Sequence, residues 1–151
     1  MAAGRSHLAL ELGTLPLWLG AGVCLGITHH HLLVFSLSYT AGSILLSPDL
    51  DLRRASPSRR WGPLRAIWAP YAHLFRHRGL SHSLLWGPLT RVGYLLGWAA
   101  AGWFALTLTW GFPYEVPPLG AYLPALSVGL YVPHVLHVLL DRASNRRCRA
   151  G

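Results

Sequence analysis

From Val92 to Phe112 the chain carries no charged residue. An apolar run of this length matches the ~20 residues that a helix needs to cross a bilayer core about 30 Å thick. Lipid is therefore the expected solvent for at least part of the fold. Composition agrees: 52% of the residues are hydrophobic and 12% charged, against about 25% charged in an average soluble domain. The apolar stretches are continuous rather than alternating, which predicts helices and not a barrel.

Four such segments can be read, at about Leu12–Thr28, His30–Ser47, Val92–Phe112 with a helical lead-in from Ser81, and Leu119–Leu140. The second is short for a bilayer and stops at Pro48, which restricts the residue before it. The first could be taken for a signal peptide, but no small-x-small cleavage pattern follows it. The expected architecture is all-α, a polytopic membrane helical bundle of about four transmembrane helices forming one domain over residues 1–151.

Every basic residue is arginine. Arg5 precedes the first segment, seven arginines lie between Arg53 and Arg78, and four lie between Arg142 and Arg149. The connections 28–31 and 111–118 contain none. The positive-inside rule then places both termini, the 53–76 loop and the basic tail 142–151 on the cytoplasmic side of the membrane. Within that loop Trp61, Leu64, Trp68, Tyr71 and Phe75 recur at three- and four-residue steps among arginines. Pro63 and Pro70 break the stripe, so short helical turns lying on the inner leaflet are expected. The formal charge of +8 points to anionic partners. Arginines beside apolar segments contact lipid headgroups more often than nucleic acid, so the lipid bilayer, anionic phospholipid or a phosphorylated small molecule is expected, and no nucleic acid. Cys24 and Cys148 offer no disulfide framework.

The acidic residues Asp49, Asp51 and Asp141 fall at the inner ends of the second and fourth segments. His7, His77, His82, His134 and His137 map to the same side, because odd segments begin and even ones end there. His134, His137 and Asp141 are spaced three and four residues apart and share one helical face. Imidazole and carboxylate together suit a divalent metal ion, zinc first, with manganese or iron as alternatives. Asp49-x-Asp51 could bind an ion, cap a turn or pair with Arg53 or Arg54. The stretch Arg76-His77-Arg78-Gly79-Leu80-Ser81-His82-Ser83 could bind metal and phosphate together, with Ser81 or Ser83 as caps for the helix that follows. His29, His30 and His31 fall on the opposite side and His73 within the aromatic stripe. The competing reading of the main constellation is hydrogen bonding between buried helices.

The motifs Ser47-Pro48-Asp49-Leu50-Asp51-Leu52, Trp61-Gly62-Pro63-Leu64-Arg65, His77-Arg78-Gly79-Leu80-Ser81-His82-Ser83 and His137-x-x-x-Asp141 together resemble a bacterial family of metal-binding membrane proteins. That family is related to LexA-binding inner-membrane proteins and metal-dependent hydrolases, and is distantly similar to zinc-dependent phospholipase C and single-strand nucleases. The resemblance implies that His7, Asp49 or Asp51, His77 or His82, and His137 with Asp141 are metal ligands for one or two ions. It implies a metal-dependent phosphoester hydrolase. Arg76 and Arg78, which flank His77, are then the candidates to hold the anion, and whichever of Asp49 and Asp51 is not engaged by metal, Asp51 first, is the candidate base. The alternative is a non-catalytic structural or sensory metal protein.

Overall fold

The computed structural model describes residues 3–51, 56–74, 83–111 and 120–150, and among them the regular structure is entirely helical. The helices are α1 (Ala3–Cys24), α2 (His29–Leu45), α3 (Ser56–Arg60), α4 (Trp68–Leu74), α5 (Trp86–Trp110) and α6 (Leu123–Ala150), with 3₁₀ turns at Pro48–Asp51, Gly62–Ile67 and Gly120–Tyr122.

α1 begins several residues before its apolar run, since nothing between Ala3 and Leu12 stops a helix. It closes at Gly26, whose φ of 71° lets the Gly26 and Ile27 amides donate back to Val23 O and Gly22 O, each at 3.0 Å. α5 starts where the Ser83 hydroxyl accepts from the Trp86 amide at 3.3 Å, so one of the two serines expected as caps does serve its first turn. α6 runs on through the basic tail, which contains no helix breaker.

Among the described residues three helical stretches are long and apolar enough to cross a membrane, Ser6–Cys24, Trp86–Trp110 and Gly120–Ser144, so three of the expected four segments reach that length and α2 falls just short of it. α2 has 17 residues, roughly 26 Å at 1.5 Å per residue, and it is the helix most enclosed by the others: its contact with α6 is the most extensive in the fold, and α1 packs against both. α2 and α6 run in the same direction at close quarters. A Cβ at Gly129 would fall 2.0 Å from Ser38 Oγ and 2.7 Å from the Phe35 carbonyl, and one at Gly42 would fall 3.0 Å from Pro133. Only hydrogen fits at Gly129, the small-residue contact by which helices approach where apolar solvent supplies no drive. α5 touches α6 sparingly and leaves Leu96, Trp98, Phe104, Leu108 and Trp110 exposed.

The last carbonyls of α2 have no partners within their own helix, and three side chains take them. Arg60 Nη1 donates to Ile44 O at 3.0 Å, Trp61 Nε1 donates to Leu45 O at 3.0 Å, and Arg91 Nη1 donates to Leu46 O. Two of these donors come from the 56–74 segment, which is thereby folded back onto the end of α2. It divides into short elements as expected, with Pro63 and Pro70 in the first turns of the 3₁₀ segment Gly62–Ile67 and of α4. Of its aromatic stripe, Leu64 is exposed and Phe75 lies outside the described residues, whereas the central members are enclosed. Trp68 and Tyr71 are buried around Leu50, with Trp61, Tyr94 and Leu95 against them. Tyr71 Oη lies 3.0 Å from Thr90 Oγ1 and Tyr94 Oη donates to Ile67 O, fastening the segment to α5.

Candidate metal centre

α1 and α6 cross with opposite polarity, so that the start of one lies beside the later turns of the other. Each carries a histidine followed four residues later by an acid, His7 with Glu11 and His137 with Asp141. A spacing of four returns a side chain to the same helical face. The antiparallel crossing then pairs each histidine with the acid of the other helix. His7 Nδ1 is 3.5 Å from Asp141 Oδ1, and His137 Nδ1 is 2.8 Å from Glu11 Oε1. The imidazoles meet edge to face, with centroids 5.1 Å apart.

His7, His137 and Asp141 each present one donor atom within 4.8 Å of the other two. A tetrahedral ion with ligand bonds of about 2.0–2.1 Å holds its donors roughly 3.3 Å apart, so the trio would draw in by up to about 1.5 Å, within the reach of side-chain rotation, to close on one ion. The protonation pattern fits as well. An ionised carboxylate only accepts hydrogen bonds, so His137 Nδ1 donates to Glu11 and Nε2 is left as the basic nitrogen, on the side of Asp141 Oδ2 at 3.9 Å. A carboxylate behind the imidazole is the usual means of orienting a metal-binding histidine. Burial adds to this: His7, Glu11 and His137 are 6%, 2% and 4% exposed, and a carboxylate so enclosed needs a partner to offset its lost hydration. The Glu11 backbone is fixed too, because the hydroxyls of Thr14 and Tyr39 both reach its carbonyl at 2.8 Å. The donor set therefore suits a divalent cation.

His134 is not brought into this trio. Arginine can only donate, so Arg91 Nη2 donates to His134 Nδ1 at 2.9 Å, and the remaining ring nitrogen Nε2 carries the proton towards Ser83 O at 3.0 Å. Arg91, 1% exposed, also donates from Nε to Gly87 O at 3.0 Å and from Nη1 to Leu46 O. His134 thus belongs to a clamp joining α2, α5 and α6, one turn from the metal ligands. This is the helix-to-helix hydrogen bonding that was the competing reading for the whole constellation.

Among the other expected site residues, the backbone of Asp49 and Asp51 forms the 3₁₀ turn that leaves α2 and packs on α6. Their side chains, and Arg76, His77, Arg78 and His82, lie outside the described residues. His31 stands at the opposite end of the bundle, with Nε2 3.2 Å from Ala121 O and Nδ1 2.7 Å from Thr28 Oγ1.

Glu11 was missed in the sequence, although two signals were there. It is an acid inside an otherwise apolar segment, where ionisable groups mark function, and His7-x-x-x-Glu11 repeats the spacing of His137-x-x-x-Asp141. Arg91 had no sequence signal of its own, because nothing in the sequence shows that one guanidinium bridges three helices.

Imidazoles and carboxylates gathered from two distant helices form the donor set expected of a metal-binding protein. The chain belongs to the family described as "Uncharacterized metal-binding protein (DUF2227)", whose model matches residues 2–150. It is similar to an uncharacterized protein of Aquifex aeolicus (strain VF5), at 43% identity over 61 residues, which is 40% of this chain and 43% of the relative. The match thus spans less than half of that relative's length. No solved structure matches the chain.

Proposed function

We propose that this protein is embedded in the inner membrane, binds one divalent ion, zinc in the first instance, through His7, His137 and Asp141, and hydrolyses a phosphoester at the cytoplasmic surface. The observation that carries the metal reading is the meeting of His7 with His137 and Asp141 within 4.8 Å, backed by Glu11 on the far nitrogen of His137. The exposed apolar residues of α5 support the membrane reading, since water tolerates few contiguous patches of that kind.

A divalent ion held here supplies Lewis acidity towards a phosphoryl oxygen and lowers the pKa of water. The protein's residues do the rest. Glu11 fixes the His137 tautomer and ring plane, while the Arg91–His134 clamp holds α5 and α2 against α6 one turn away. The Pro48–Asp51 turn, steadied by the caps on α2, offers Asp49 as a further ligand and Asp51 as general base. Arg76 and Arg78 complete the proposal as anion holders, and His77 or His82 as further ligands. The resemblance to zinc-dependent phospholipase C supports the hydrolytic part.

A second reading has its own support: both described ligand helices are joined through the site, so the ion could serve as a staple between α1 and α6. Elemental analysis of detergent-purified protein, followed by phosphodiester and phospholipid turnover with and without chelator, separates the two. Asp51→Asn that keeps metal and fold but loses turnover supports hydrolysis. An unaltered turnover removes Asp51 as the base, and no chelator-sensitive turnover in the parent protein leaves the staple.

A further inference from the structure

Away from the metal centre, a cleft of about 320 Å³ opens among Leu50, Ser58, Arg65, Ala66, Trp68 and Ala69. It lies at the lower end of the ~300–1,000 Å³ range of small-molecule pockets. Four elements supply its wall: the Pro48–Asp51 turn, α3, the Gly62–Ile67 turn and α4. Trp68 is 1% exposed, and its indole Nε1–H is buried with no hydrogen-bond partner among the described residues. A buried donor left unmet is uncommon and calls for an explanation such as an ion or ligand.

The polar side chains lining this cleft are all able to donate. The indole nitrogen can only donate, a guanidinium only donates, and the Ser58 hydroxyl, on a residue 3% exposed, can do either. None of the described lining side chains is acidic. What completes the set is a ligand rich in acceptor oxygens and negatively charged, the group that a planar guanidinium fork binds best.

We infer that this cleft is a binding site for a phosphate-class oxyanion, held by Arg65, Ser58 and the Trp68 indole. The inference stands apart from the metal centre, and only the choice of source rests on the membrane reading. A phosphodiester headgroup would reach the cleft from the inner leaflet, and free phosphate would reach it from water; both present the same oxygens.

The test uses the full chain in maltoside micelles, which contain no phosphate. The ¹H–¹⁵N indole signal of Trp68 is assigned by its loss in Trp68→Phe. The protein is then titrated separately with inorganic phosphate, with short-chain phosphatidylglycerol and, as a neutral-lipid comparison, with short-chain phosphatidylcholine. A saturating downfield movement with inorganic phosphate identifies a free anion site, and one seen only with a phospholipid identifies a headgroup site. Arg65→Gln should raise the half-saturating concentration about tenfold, as loss of one charge-assisted hydrogen bond implies, and Ser58→Ala about threefold. The inference is overturned if no titrant moves the signal, or if both variants saturate at the concentration of the parent protein while their other indole signals remain in place.

Discussion

Replacing Glu11 by glutamine takes a negative charge from behind His137 while leaving an acceptor oxygen of nearly the same size and reach. The Glu11–His137 contact is 2.8 Å long and Glu11 is 2% exposed, so water does little to screen it. Carboxylates in this position typically affect metal affinity by about 10–100-fold, roughly 1.4–2.7 kcal/mol. Glutamine keeps the hydrogen bond and loses only its charge-assisted part, which places Glu11→Gln near tenfold. Alanine removes the acceptor altogether. It strands a buried imidazole N–H, at a cost of about 1–3 kcal/mol, and the ring no longer has a fixed tautomer, which places Glu11→Ala near a hundredfold. The assay is competition for zinc between detergent-purified protein and a chromophoric chelator, with ¹⁵N-histidine spectra reporting which nitrogen of His137 carries the proton. Parent-level zinc affinity in Glu11→Gln, together with an unchanged tautomer in Glu11→Ala, would refute the argument that Glu11 orients the ligand.

Asp141→Asn is expected to lose the bound ion in elemental analysis, and His7→Ala likewise; a full equivalent of metal in either would remove that residue from the site. Gly129→Ala should destabilise the protein by about 1–3 kcal/mol or more, because its methyl group lands 2.0 Å from Ser38 Oγ and forces α2 and α6 apart. Adding Ser38→Gly should recover part of that loss in the same thermal or denaturant unfolding measurement. Arg91→Met keeps the bulk of the side chain but abandons the acceptors at Leu46 O and His134, and is expected to cost about 3 kcal/mol; a melting temperature equal to that of the parent would show that the clamp bears no weight. Chelator treatment of the parent protein should loosen α1 first, seen as faster amide exchange along Ser6–Cys24 than along α5.

Much of the fold was legible because apolar length and proline placement are local properties. The end of α2 before Pro48 and the division of the 56–74 segment into short elements could both be read from neighbouring residues. The fate of α2 could not. Whether a 17-residue helix meets lipid or other helices depends on Gly42 and Gly129 facing Leu130, Pro133 and Ser38, which is a tertiary fact. The same holds for the aromatic stripe: its spacing was visible, but its burial around Leu50 follows from donors reaching back to the α2 carbonyls. At the site, helical spacing singled out His137 and Asp141 and also His134, because three- and four-residue steps share a face. Only the position of Arg91 on a different helix separates His134 from its neighbours. Glu11 was not legible because it stands inside an apolar segment and not at a helix end, whereas antiparallel crossing makes the fourth residue after His7 as important as the ends themselves.

The joining of α1 to α6 has a consequence for how the protein matures. Glu11 and His137 are 126 positions apart, and domains are assembled from the N-terminal side as the ribosome delivers them. His7 and Glu11 leave the ribosome long before their partners exist. An ion held by the proposed trio of His7, His137 and Asp141 would load only after translation has reached α6, and a prematurely terminated product would emerge unable to take it up. Ion capture by this chain would therefore report that synthesis and insertion have run to the end.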